Sequence, residues 1–195
     1  MRKKIEILFF ILLILAPGCG LFSTRDVETP TGPRSNFTPP TSPSIVLDNF
    51  ISAISQKDIN NYLNCVSDTS NGGRRFIYIP DVESQSNYPV FSNWDRNKEN
   101  NYFTNLVNQT SADAPSNLFI SNVTSTLSND SAVYGADYLF VFYHNRTNVT
   151  KTAKGSLRFN MRTDARNLWS INTWIDFKSQ PTDTTWSVVK ANFGN

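Results

Sequence analysis

The sequence predicts an α+β domain in which three amino-terminal helices cover one face of a curved antiparallel sheet and a short helix ends the chain. Two observations predict it. Apolar residues recur at helical spacing from 42 to 66 and again near 102 to 107, whereas from about 117 onward they follow a two-residue period broken by turn residues. Helices gathered before a run of strands give a segregated two-layer domain rather than a parallel, alternating one.

The first helix starts at Ser42 as N-cap with Pro43 in its first turn, and carries an apolar stripe of Leu47, Phe50, Ile51 and Ile54. Asp58 caps a second helix in which Ile59, Tyr62, Leu63 and Val66 repeat at i, i+3, i+4 and i+7. Cys65 lies beside that stripe, the setting of a buried structural thiol. A loop from Ser67 to Arg75 holds Gly72 and Gly73, and its Arg74 and Arg75 read as solvated charge. Phe76 to Ile79 form a short strand closed by Pro80. The third helix runs from about Asp95 to Asn108, with Tyr102, Phe103, Leu106 and Val107 apolar and with Asp95 and Glu99 near its positive end.

Strands are expected at about 117 to 127, 131 to 144, 150 to 162 and 167 to 178. In the third of these Leu157, Phe159 and Met161 alternate with polar neighbours, so one face is buried and one is wet. The same alternation groups Trp169, Ile171 and Ile175 on the buried face and sets Trp174 and Asp176 opposite, where Asp176 would pair with Arg158 or Arg162. The strand around Tyr138 has apolar residues on both faces. The set of Tyr134, Tyr138, Phe140 and Phe142 would pack, with Trp174, against the last helix or a second subunit. That last helix starts near Thr184 and offers Trp186, Val189 and Phe193 before Gly194.

Ahead of the domain, Met1 to Lys4 is basic, Ile7 to Ala16 is apolar, and Pro17-Gly18-Cys19 supplies small residues before a cysteine. This is the plan of an export signal, and the apolar run is well short of the roughly 20 residues that span a bilayer. Leu15-Ala16-Pro17-Gly18-Cys19 resembles the lipobox of bacterial lipoproteins, although the class usually has Leu where this chain has Ala16. The resemblance implies a signal peptide over 1–18, lipid on Cys19 as the mature amino terminus, and, with Gly20 rather than Asp following, residence at the outer membrane. Residues 19–41 are rich in Pro, Thr and Ser and read as a tether that holds a 42–195 domain off the membrane.

The chain's 18 Lys and Arg and 16 Asp and Glu become 15 and 15 once Arg2, Lys3, Lys4 and Glu6 leave with the signal. A neutral mature chain gives no argument for nucleic-acid binding. Two cysteines and one histidine, without a recognised ligand or nucleophile spacing, imply neither a metal site nor a cofactor. His144 reads as an exposed turn residue.

The order of elements from 42 to 178, with the closing strand Leu168-Trp169-Ser170-Ile171, resembles the nuclear transport factor 2-like superfamily, which includes ketosteroid isomerase and SnoaL-type cyclases. The resemblance implies a cone-shaped domain, and dimerisation through the outer sheet face is frequent among such proteins. Tyr62, Phe103, Asp137, Phe159, Trp169 and Ile171 are then the candidate lining of the cone.

Asp137 alternates with Val133, Leu139 and Val141, and a carboxylate held among apolar side chains would serve as a general base, with Tyr62 or Tyr143 as hydrogen-bond donor. The alternative is that Asp137 turns outward. Three functions follow: a non-catalytic envelope module that binds an apolar small molecule or another envelope protein, an isomerase- or cyclase-like enzyme, or a structural subunit whose cone is filled by Tyr62, Phe103, Phe159 and Trp169. The first is favoured because the expected interior supplies contact area and little reactive chemistry.

Overall fold

A computed structural model describes residues 37–194; the signal, Cys19 and most of the tether lie outside the described residues. Helix α1 spans Pro43–Gln56, capped by the Ser42 hydroxyl accepting from the Ile45 N–H, and α2 spans Ile59–Asn64, capped in the same way by Asp58. Lys57 joins them in the left-handed region, at φ 56°. Strand β1 is Ile77–Ile79. A short helix α3, Val82–Asn87, follows with Asp81 as its N-cap. The sequence reading has no element there, because Val82 is the only apolar residue of the segment and no apolar period can show.

Helix α4, Arg96–Asn108, begins at Asp95, whose carboxylate accepts from the Asn97 and Lys98 amides. Strands β2 (Ser116–Leu127), β3 (Ser131–Phe142), β4 (Thr152–Thr163) and β5 (Trp169–Phe177) form an antiparallel meander, and α5 (Trp186–Phe193) closes the chain. The sheet order is β1-β5-β4-β3-β2, with β1 added to the far edge parallel to β5. Residues Phe37 to Pro40 lie against this domain: Thr38 exchanges hydrogen bonds with the Asn49 side chain, and the Trp169 amide donates to the Pro40 carbonyl.

Cross-strand pairing decides which face is inside. Leu157 and Phe159 of β4 are buried as expected, and they stand opposite Ala136 and Tyr134 of β3. Tyr138, Phe140 and Phe142 are therefore inward, while Val133, Leu139 and Asp137 are on the outer face, with Val133 and Leu139 exposed. In β5 the phase changes. Met161 pairs with Ile171 and Asn160 with Thr173, so Asn172 is an extra residue, a bulge. One extra residue inverts the alternation beyond it. Trp169 and Ile171 point inward before the bulge, and Trp174 and Asp176 point inward after it.

The core is aromatic. Tyr62 stacks on Phe103 at 3.8 Å between ring centres, and Phe50 meets Phe159 and Trp174 edge-on at 5.6 Å each. Trp186 of α5 enters between the sheet and the helices, stacked on Phe140 at 4.2 Å and edge-on to Trp174 at 4.6 Å. It donates its indole N–H to the Tyr102 hydroxyl at 2.8 Å, so its polar atom is satisfied.

Candidate functional site

The polar chemistry of the interior gathers where α5 meets the concave sheet face. Glu99, in the first turns of α4, is fully buried. One of its carboxylate oxygens accepts from the Tyr62 hydroxyl at 2.5 Å and the other from the Trp94 indole N–H at 2.7 Å. Lys190 of α5, also fully buried, donates to the oxygen that Tyr62 contacts. Its ammonium lies 3.9 Å from the ring centre of Trp174, 4.3 Å from Tyr78, 4.6 Å from Tyr102 and 5.5 Å from Trp94. Burial pulls the Lys190 ammonium down to about 8, with Glu99 opposing the shift.

A second buried carboxylate, Asp176, sits on β5 beyond the bulge. It accepts from the Tyr138 hydroxyl at 2.7 Å, from the Tyr78 hydroxyl at 3.2 Å, and from the Ser187 amide and hydroxyl at 2.7 and 2.5 Å. Burial pushes it up to about 6, against the hydrogen bonds from Ser187 and Tyr138. The Trp186 amide donates to the Tyr138 hydroxyl, and the Asp81 amide to the Ser187 hydroxyl. The start of α5 is thus tied to β1, β3, β5 and the entry to α3 through one network. Burial raises the Tyr62, Tyr78, Tyr102 and Tyr138 hydroxyls well above their ordinary value, so they act as neutral donors.

The expected lining residues are divided by this geometry. Tyr62, Phe103, Phe159 and Ile171 are buried in the shared core, and Trp169 is buried at its margin. Asp137 is not with them. It is half-buried on the outer face, where the Asn122 side-chain amide donates to it at 2.7 Å. The cause is the pairing of β3 with β4, which turns the Tyr138 face inward. The buried carboxylates with tyrosine partners are Glu99 and Asp176, and alternation alone had placed Asp176 outside. Ile175, expected inside, is only half-buried because the Asn172 bulge shifts the phase of β5.

His144 is buried rather than exposed, because Thr110 pairs with it in an isolated bridge and Phe193 of α5 packs on its ring at 4.9 Å. Burial first, with nearby Lys151 and Arg146 adding to it, holds its imidazole below the usual value; the Thr150 carbonyl partner opposes this. Arg75 donates to Asn93.

Open space lies elsewhere. A cleft of about 270 Å³ is lined by Trp169, Leu168, Arg96, Asp164 and Arg166, and its charges are paired as Arg96 with Asp68 and Arg166 with Asp164. A shallower apolar groove of about 640 Å³ runs between α3 and the end of β5, along Ile79, Val82, Ile175 and Phe177. Neither is lined by Tyr62, Phe103, Phe159 or Ile171. Among the described residues no group of three or more His, Cys, Asp or Glu side chains is placed to hold a metal ion.

The signals that sequence reasoning missed are a glutamate and a lysine written into otherwise amphipathic helices. Glu99 reads as a dipole-compensating residue of the first turns, and Lys190 drew no reading in the last helix, where Trp186, Val189 and Phe193 stand out. Only the placement of α5 beneath the sheet makes them neighbours.

No family model matches the sequence, and no curated protein matches it. Solved structures do match. A nuclear transport factor 2-like superfamily protein from Salmonella enterica superposes with a TM-score of 0.52 at 13% identity, covering 70% of this chain and 88% of its own. A Kribbella flavida protein gives 0.52 at 10% identity, covering 74% and 92%. A Streptomyces avermitilis protein of the same family, described as a candidate dehydratase, gives 0.51 at 9% identity, covering 70% and 93%. At these identities the likeness is one of architecture, a five-stranded curved and unclosed sheet with helices on its concave side, and by that architecture this chain has the nuclear transport factor 2-like fold.

Proposed function

We propose that this protein is a lipid-anchored, non-catalytic module of the bacterial cell envelope that works through its outer surface, as a dimer, rather than by enclosing a small molecule. The observation that carries the reading is that the concave side of the sheet, where a ligand would be held in a fold of this kind, is filled by the chain's own Trp186 and Lys190. A substrate would need the room these side chains take. The outer face, by contrast, exposes Ile77, Ile79, Phe119, Val133, Leu139 and Phe177. These residues form two apolar strips, β1 with the end of β5 and β2 with β3, on either side of the polar outer residues Lys154, Ser156, Arg158 and Asn160 of β4. Exposed apolar surface marks a contact face, and the resemblance supplies its occupant, a second copy of the chain.

The anchor is a proposal from the leader sequence. Expression of the full chain in a bacterium should yield a protein whose intact mass corresponds to a lipid-modified chain beginning at Cys19, and Cys19→Ser should leave the membrane fraction. A mature chain beginning elsewhere without lipid would remove the envelope assignment. For the surface, sedimentation of the soluble domain should show a dimer that Phe119→Glu or Phe177→Glu converts to a folded monomer. A wild-type domain that stays monomeric at its highest soluble concentration would overturn it.

A second reading rests on Asp176. A buried carboxyl held near 6 beside two tyrosine hydroxyls is what a proton-transfer site needs: a base near working pH and donors for a developing oxyanion. Ser187 occupies one Asp176 oxygen and Tyr138 the other, so this reading needs α5 to leave. It gains if an α5-loosened variant binds a carbonyl compound at Asp176, and it fails if no such binding occurs.

A further inference from the structure

The walls around the Lys190 ammonium and the ammonium itself come from different parts of the chain. Tyr78 belongs to β1, Trp94 to the turn before α4, Glu99 and Tyr102 to α4, and Trp174 to β5, while Lys190 arrives on α5. The carboxylate is fixed without help from α5, since Tyr62 and Trp94 each donate to one of its oxygens. Glu99 accepts from the Lys190 ammonium. The remaining sides of the cation face aromatic rings, whose negative faces attract an ammonium and exclude water from it. An ion pair that served only to hold α5 in place would need the carboxylate; a cage of four rings adds recognition of the cation's size and charge.

We propose that the body of the domain carries a binding site for a primary alkylammonium ion, formed by Glu99, Tyr78, Trp94, Tyr102 and Trp174, whose resident occupant is Lys190 of the carboxy-terminal helix. The ligand class follows from the lining. One fixed carboxylate balances a single positive charge, the ring faces accept a compact ammonium head, and the space filled by the buried Lys190 stem accepts an unbranched alkyl chain. The proposal stands apart from the outer-face dimer, and failure of either leaves the other intact.

Lys190→Ala removes three methylenes and the ammonium, which together amount to n-propylammonium. Titrated against that variant and followed by thermal unfolding, n-propylammonium chloride should stabilise it saturably and bind about tenfold tighter than 1-propanol, the difference expected from the ring faces and the charged hydrogen bond. Wild type, whose cage is occupied, should not respond beyond a sodium chloride control. Lys190→Ala/Glu99→Gln should lose the preference, and Lys190→Ala/Trp174→Leu should weaken it several-fold.

If Lys190→Ala does not fold alone, its refolding yield from urea with n-propylammonium against 1-propanol is the readout. Lys190→Met, which fills the cage without charge, is the comparison that should show no response. Equal effects of n-propylammonium and 1-propanol, an equal response in wild type, or binding that survives loss of the Glu99 charge would each overturn the proposal.

Discussion

Lys190 and Glu99 place two full charges in an aromatic core, and the energetic consequence is asymmetric. Removing one partner strands the other in a low-dielectric interior, at a cost of about 3–5 kcal/mol, whereas removing both can be close to neutral. Lys190→Met should therefore lower stability in urea by about 3 kcal/mol or more, and Lys190→Met/Glu99→Gln should recover much of that loss. A double variant as unstable as the single one would mean that the pair contributes little and that the cost is one of packing.

Asp176 makes a prediction of opposite character. Its pKa is raised in the folded chain from 3.8 to about 6, so between those values the folded state binds more protons than the unfolded one. This group's contribution is most favourable at about pH 4 and below, and it is lost as pH rises through 6, by up to about 3 kcal/mol. Asp176→Asn should flatten the stability profile in that window, measured as urea midpoints from pH 4 to 7. An unchanged slope would show that Asp176 is solvated and that its network with Tyr138 and Ser187 does not form.

At the scale of elements, β5 carries more of the fold than its nine residues suggest. The bulge at Asn172 is what brings Asp176 and Trp174 inside, so deletion of Asn172 should turn both outward and abolish cooperative unfolding, read by loss of the near-ultraviolet tryptophan signal. A deletion that folds normally would remove the bulge from the account. Gly155 of β4 has a related constraint, because a Cβ there would lie 2.4 Å from the Phe177 carbonyl oxygen and 3.0 Å from the Tyr138 hydroxyl. Gly155→Ala should cost about 1–3 kcal/mol by forcing the end of β5 away.

These two strands also show where the sequence is legible. Capping residues and apolar spacing locate α1, α2 and α4, and the one-sided alternation of β4 sets its inner face. For β3, apolar on both sides, alternation gives the period without the sign. Only pairing with β4 places Tyr138 inside and Asp137 outside. For β5 the bulge leaves no composition signal, so the residues after it are read in the wrong phase. The polar site was hidden for the same reason, since its members come from β1, α2, α4, β3, β5 and α5, and no local pattern joins them.

For the whole molecule the claim is that the cone is closed by its own last helix. Trp186, Val189, Lys190 and Phe193 are buried, and α5 is tied in at its start by Asp176 and near its end by Asn105, which donates to the Phe193 carbonyl. A helix so held opens only when the domain does, whereas a lid over a ligand site belongs to the least stable part of a structure. Native-state hydrogen exchange separates these directly. The account predicts that the amides from Lys190 to Phe193 exchange as slowly as those of Tyr138 and Phe159 in the central strands, and with the same dependence on denaturant. Amides in α5 that exchange orders of magnitude faster than those strands would contradict it, and would show a cone that opens without unfolding.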